Sequence, residues 1–88
     1  MTMKEKLVKI ANHYGYESQT KKLFEEMAEL TVAVCKDDRE NIIEEIADVE
    51  NMLDQMKFLL DCEGSVFLEK MHKVDRQIER MKEDGVSL

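Results

Sequence analysis

Leu23-Phe24-Glu25-Glu26-Met27-Ala28-Glu29-Leu30 and Ile42-Ile43-Glu44-Glu45-Ile46-Ala47-Asp48-Val49 are two versions of one octet. Three positions are identical and the other five keep their chemical character. Both octets lie in segments whose apolar residues recur every three or four positions, the period of a helix. The first stripe is Leu23, Met27, Leu30 and Val34; the second is Ile42, Ile46, Val49, Leu53, Met56 and Leu60. Only a few residues around Asp37 separate the two segments, and a link that short makes the helices antiparallel neighbours.

Two more helices flank this pair. One runs from about Met3 to Tyr14 through Leu7, Ile10 and Ala11, with Gly15 as its stop. Ser18 then opens the octet-bearing second helix, which continues to about Lys36. The third helix starts after Asp37 or Asp38, and Asp37 with Glu40 has the form of a capping box. Gly64 ends that helix and Ser65 caps the fourth, which carries Phe67, Met71, Val74, Ile78 and Met81 and ends before Gly85. With no Pro and only 3 Gly, the chain lacks the punctuation of a strand-rich fold. The expectation is an all-α single domain over residues 1–88.

The charge balance narrows the partners. With 13 basic and 20 acidic residues the net charge is −7, which disfavours nucleic acid and anionic membrane surfaces. A polyanionic small molecule fits only with a cation between it and the carboxylates. No stretch of apolar residues is long enough to span a membrane, and the start MTMKEKLVKIANHYG lacks the apolar run of a signal peptide. A cytoplasmic location is therefore expected. Cys35 and Cys62 fall at opposite ends of the hairpin, too far apart for a disulfide, and with His13 and His72 they form no zinc spacing.

The octets carry the chemistry. At about 100° per residue, Glu26 lies about 60° from the centre of its apolar stripe and Glu29 about 60° further round. Glu45 and Asp48 occupy the same places on the other helix. Residues three apart on a helix are neighbours, so each helix offers a carboxylate pair at the edge of its buried face. A single Glu-x-x-Glu pair is ordinarily a solvated surface. Two pairs at the same offset on adjoining helices point to one shared groove. Four carboxylates there repel unless protonated or bridged by a cation. All-oxygen donors suit Mg²⁺, with Mn²⁺ as the other candidate. A di-iron centre needs Glu-x-x-His on two helices, and neither octet contains His. Lys22, four residues before Glu26, is placed to support it or to meet substrate. Gln19 is a weaker candidate on the same flank. On the fourth helix Lys70, Lys73 and Arg80 share one flank of the apolar stripe, with Arg76 somewhat beyond.

Glu25-Glu26-Met27-Ala28-Glu29 followed by Glu45-Ile46-Ala47-Asp48 resembles the Glu-Glu-x-x-Glu and Glu-x-x-Asp signature of the MazG-like all-α nucleotide pyrophosphohydrolases. The segment His13–Gln19 and the basic last helix are similar to those of small phage-type and Firmicute members, and the likeness covers about residues 10–81. It implies a four-helix bundle completed by oligomerisation, as a homodimer or homotetramer. It implies Mg²⁺-dependent hydrolysis of a (d)NTP to the (d)NMP and pyrophosphate. Glu26, Glu29, Glu45 and Asp48 would be the metal ligands, with Glu25 and Glu44 as the first members of the doubled pairs. Glu25 joins those four in the implied catalytic set. Phosphate contacts would come from Lys73, then Arg76 or Arg80, with Lys22 as a further candidate. Phosphoribosyl-ATP pyrophosphatase shares the acidic pattern, but Val49-Glu50-Asn51-Met52 lacks the aromatic or His residues usual after its second motif, which ranks it second. A non-catalytic helical interaction module on the same scaffold is the reading from a different class.

Overall fold

A computed structural model describes residues 1–88 as three α-helices and no strand. α1 spans Met3–Cys35, α2 Arg39–Leu59 and α3 Glu63–Glu83. The all-α expectation holds, with one change in the count. The first two expected helices run on as α1, but they meet at a kink where Gly15 (φ 85°, ψ 168°) leaves helical geometry, the position at which the first was expected to stop. That backbone region suits Gly because no Cβ is present to clash. Thr2 caps the start, its hydroxyl accepting from the Glu5 N–H at 3.0 Å.

All three helices stop in the same way. After α1, the Asp38 N–H donates to Ala33 O and the Asp37 N–H to Val34 O, the paired bonds of a Schellman motif. After α2, Cys62 donates to Lys57 O and Asp61 to Phe58 O; after α3, Val86 donates to Met81 O and Gly85 to Lys82 O. The left-handed residue at these turns is Asp37 (φ 53°), Asp61 (φ 49°) and Gly85 (φ 89°). This geometry corrects two expected caps. Asp37 is committed to ending α1, so Asp38 caps α2, its carboxylate accepting from the Asn41 N–H at 3.3 Å. Gly64 and Ser65 lie inside the first turn of α3, whose N-cap Cys62 makes no side-chain capping bond.

α1 and α2 pack along their lengths as a hairpin. Their shared seam alternates spacings of three and four: Gln19, Leu23, Glu26, Leu30 and Ala33 on α1, against Ile42, Glu45, Val49, Met52, Met56 and Leu59 on α2, all buried or half-buried. Met27 and Val34, expected in the core stripe, remain 49% and 55% exposed. The inward face of α1 is thus rotated toward Glu26. Cys35 and Cys62 are free thiols.

α3 leaves the hairpin. It touches α2 sparingly, and only Val66 and Met81 along its length are even half-buried. An ion pair between Lys4 Nζ and Glu63 Oε2 at 3.3 Å ties its first turn to the start of α1. The apolar residues buried within the chain are Ala11, Ala33 and Met52, while Phe24, Phe67 and Val74 are more than 60% exposed. No helix is long and apolar enough to cross a membrane.

Candidate metal centre

The seam places two acids where a hairpin ordinarily puts apolar side chains. Glu26 is only 6% exposed and Glu45 is half-buried. Glu29, one turn after Glu26, leans in from the exposed flank. One carboxylate oxygen from each of Glu26, Glu29 and Glu45 lies within 4.8 Å of the others. Glu26 Oε2 and Glu45 Oε2 are shut off from solvent and have no hydrogen-bond partner. An unpaired buried acceptor costs more than its hydrogen bond would have contributed, so this arrangement requires a proton or a cation.

The single cation within the chain that pairs with Glu26 is Lys22. Its Nζ stands 3.2 Å from Glu26 Oε1 and 3.4 Å from Glu25 Oε2. Both contacts hold the Lys22 ammonium above its ordinary range. Burial pushes the Glu26 carboxyl up, but the Lys22 ammonium beside it leads the opposing causes, which outweigh it and hold the carboxyl low. Glu45 has no such cation. Desolvation, the neighbouring Glu26 carboxyl and the charges of Glu29 and Asp48 raise it to about 7. Glu45 is thus the acid of the cluster that keeps a proton near neutrality. The orphaned Oε2 atoms and an all-oxygen donor set fit a hard divalent ion in place of that proton.

Of the four acids expected to converge, three do so at this spacing. Asp48 is exposed and outside the tight cluster, though near enough for its charge to act on Glu45. Glu25 and Glu44 are exposed, Glu25 being held by Lys22. Lys73, Arg76 and Arg80 are not brought to the carboxylates by their own chain, because α3 does not pack on α1 and no α3 charge acts on Glu26 or Glu45.

A family model described as phosphoribosyl-ATP pyrophosphohydrolase matches residues 4–59, well over half of the 88. The chain belongs to this family. The match covers α1 and α2, with every carboxylate of the cluster, and stops where α2 ends. It sets the chain among the MazG-like all-α pyrophosphohydrolases, hydrolases of acid anhydrides, as the octets implied. Within that group the matching description is the one the residues after Asp48 had ranked second. No curated protein and no solved structure matches the chain.

One pair in the seam was undervalued from sequence. Gln19 and Gln55, 6% and 3% exposed, are hydrogen-bonded to each other at 2.7 Å. Hydropathy periodicity scores both as surface residues. The available signal was spacing: Gln19 stands seven residues before Glu26 and Gln55 seven after Asp48, each in register with an acidic octet.

Proposed function

We propose that this protein is a Mg²⁺-dependent nucleotide pyrophosphohydrolase that cleaves a (d)NTP to the (d)NMP and pyrophosphate. The observation supporting it is the pair of partnerless buried oxygens on Glu26 and Glu45, beside Glu29, in a chain of this family. Glu26, Glu29 and Glu45 would hold the ion, with Asp48 completing the set from one turn along α2. Mg²⁺, or Mn²⁺ in its place, supplies charge neutralisation on the phosphate oxygens and lowers the cost of generating a nucleophile from water. The chain's own residues orient and exclude. Lys22 stands at the edge of the cluster, free to exchange a carboxylate for a phosphate oxygen. Glu25 and Glu44 are placed outside the ligand set, where a carboxylate can accept a proton from attacking water. Water adds to phosphorus, the bridging anhydride oxygen departs with pyrophosphate, and the proton passes to a carboxylate.

Oligomerisation belongs to the same proposal. A chain with three buried apolar residues and an α3 exposed along most of its length buries little surface for a chain standing alone. A homodimer or homotetramer would cover Ile46, Leu53 and the Phe67–Ile78 face. A neighbouring copy would also be the source of Lys73, Arg76 and Arg80 at the phosphates.

The family match favours a second substrate, phosphoribosyl-ATP. One assay decides: pyrophosphate release from phosphoribosyl-ATP and a panel of dNTPs, with Mg²⁺ and with chelator. Turnover of any of these that stops with chelator supports the reading, and the preferred member names the substrate. No turnover, together with no metal-dependent binding of a non-hydrolysable nucleotide by calorimetry, leaves the scaffold as an interaction module.

A further inference from the structure

We propose that the Gln19–Gln55 amide pair is the floor of a nucleobase subsite and sets base preference through hydrogen bonds; this rests on the nucleotide reading above. A recess of about 790 Å³ opens on the N-terminal side of the carboxylates, lined among others by Tyr14, Gln19, Lys22, Glu25, Met52 and Gln55, with Ser18 on the same wall. That volume is in the range of small-molecule sites. The kink at Gly15 lies within the stretch of α1 that walls it, since Tyr14 comes from one arm and Ser18, Gln19 and Lys22 from the other. Lys22 lines this recess and pairs with Glu26, so the recess adjoins the carboxylate cluster at that side chain. Gln19 lies two helical turns, about 10 Å, from Glu26 along α1. With phosphates at the carboxylates, the far part of a nucleotide falls over the amides.

The amides are unusual for where they are. In a seam so short of apolar residues, two buried amides are poor stabilisers. Replacing a hydrogen-bonded polar pair by apolar groups of the same shape is often neutral or better. Gln19 Nε2 donates to Gln55 Oε1 at 2.7 Å, and Gln55 Nε2 reaches Met52 Sδ at 3.7 Å. Each amide has two N–H groups and one carbonyl. Gln19 Oε1 and the second N–H of each amide are thus left over, and both residues line the recess. Donors and acceptors side by side match the carbonyl and amino edge of a planar heterocycle. Tyr14, 59% exposed at the rim, offers a ring face for the same heterocycle. The amides select a neutral hydrogen-bonding edge, since neither carries charge; the charged lining residues Glu17, Lys21, Lys22 and Glu25 come from the outer face of α1 around them.

The test uses the full chain with Gln19→Met and Gln55→Met together, a near-isosteric apolar pair. On the substrate panel above, kcat/KM for the preferred base should fall about tenfold or more and the ranking among bases should flatten. Hydrolysis of inorganic tripolyphosphate and affinity for Mn²⁺ should stay at wild-type level. Preserved base ranking in the variant, with wild-type turnover intact, overturns the subsite while leaving the pyrophosphohydrolase reading standing. Absence of nucleotide turnover in the wild type overturns both. A second measurement needs no variant: the side-chain amide NMR signals of Gln19 and Gln55 should shift with a non-hydrolysable nucleotide and Mg²⁺, and stay put with tripolyphosphate and Mg²⁺. Equal shifts with both, or none with the nucleotide, also overturn it.

Discussion

Glu26 and Glu45 occupy inward positions of the same helical seam, and each keeps one carboxylate oxygen, Oε2, out of water with nothing bonded to it. Apart from a cation or a proton, these two residues oppose the packing that surrounds them. Their cost to the hairpin and their use to it are the same property.

Removing one charge should therefore stabilise the metal-free protein while abolishing its chemistry. Glu45→Gln is expected to raise the melting temperature of metal-free protein at pH 8 by a few degrees. In the same variant pyrophosphate release should fall at least about a hundredfold. Differential scanning calorimetry and the release assay, run on one preparation, check both. A variant that melts lower without metal would show that Glu45 is satisfied by something other than a cation.

The acids make opposite contributions to pH dependence. Folded Glu45 holds its proton up to about 7, against an ordinary value of 4.5. Over that window the folded chain binds the proton more tightly than the unfolded chain. Stability without metal thus falls between about pH 4.5 and 7 and is level above. Glu26, held low, contributes above its ordinary value of 4.5 and loses that contribution on acidification. Metal must displace the Glu45 proton, so Mn²⁺ affinity should climb about tenfold per pH unit below neutrality and flatten above it. Calorimetry in buffers of different ionisation enthalpy should register nearly one proton released at pH 6 and none at pH 8.5.

Asp48 should behave differently from Glu26. It is exposed and stands outside the tight trio. Glu26→Gln is expected to weaken Mn²⁺ by more than about tenfold, whereas Asp48→Asn should weaken it less and lower turnover at saturating metal. Equal losses of affinity in the two variants would place Asp48 among the tight ligands and require α2 to shift on loading.

The left-handed turns invite a stabilising change. Asp37 ends α1 at φ 53°, where a Cβ is strained and where the negative end of the helix disfavours a carboxylate. Asp37→Gly should add about 0.5–1 kcal/mol, seen as a higher urea midpoint with an unchanged slope. Gly15→Ala runs the other way. Its surroundings leave space for a Cβ, but φ is +85°, so a loss of about 1 kcal/mol is expected.

Self-association should appear as a melting temperature that rises with protein concentration. Val74→Glu, on the 62%-exposed face of α3, should remove that dependence and shift the sedimentation coefficient toward a single chain. A concentration-independent melt in the wild type would count against assembly.

Much of this molecule is readable from its residues. The octets announced an antiparallel pair and its acids, and Gly15 and Gly85 marked two places where helical geometry breaks. The direction of the α1 face was not readable, because hydropathy rewards Met27 and Val34, whereas the hairpin buries Gln19, Glu26 and Ala33. Polar residues chosen for chemistry disguise themselves as surface. Asp37 and Asp38 are adjacent and identical, so only backbone geometry tells the stop of one helix from the cap of the next. The place of Lys73, Arg76 and Arg80 depends on what α3 packs against, which lies outside the chain's own local pattern.

The slender joint at Asp61 makes α3 a lever. Its 21 residues reach about 32 Å, so a swing of about 20° at the joint carries the far end through about 11 Å. A lone chain would let that arm sweep a wide cone, and the residues near Ile78 would tumble faster than those near Met52. Backbone relaxation along the arm then works as a gauge, with a flat profile when something holds the tip and a rising one when nothing does.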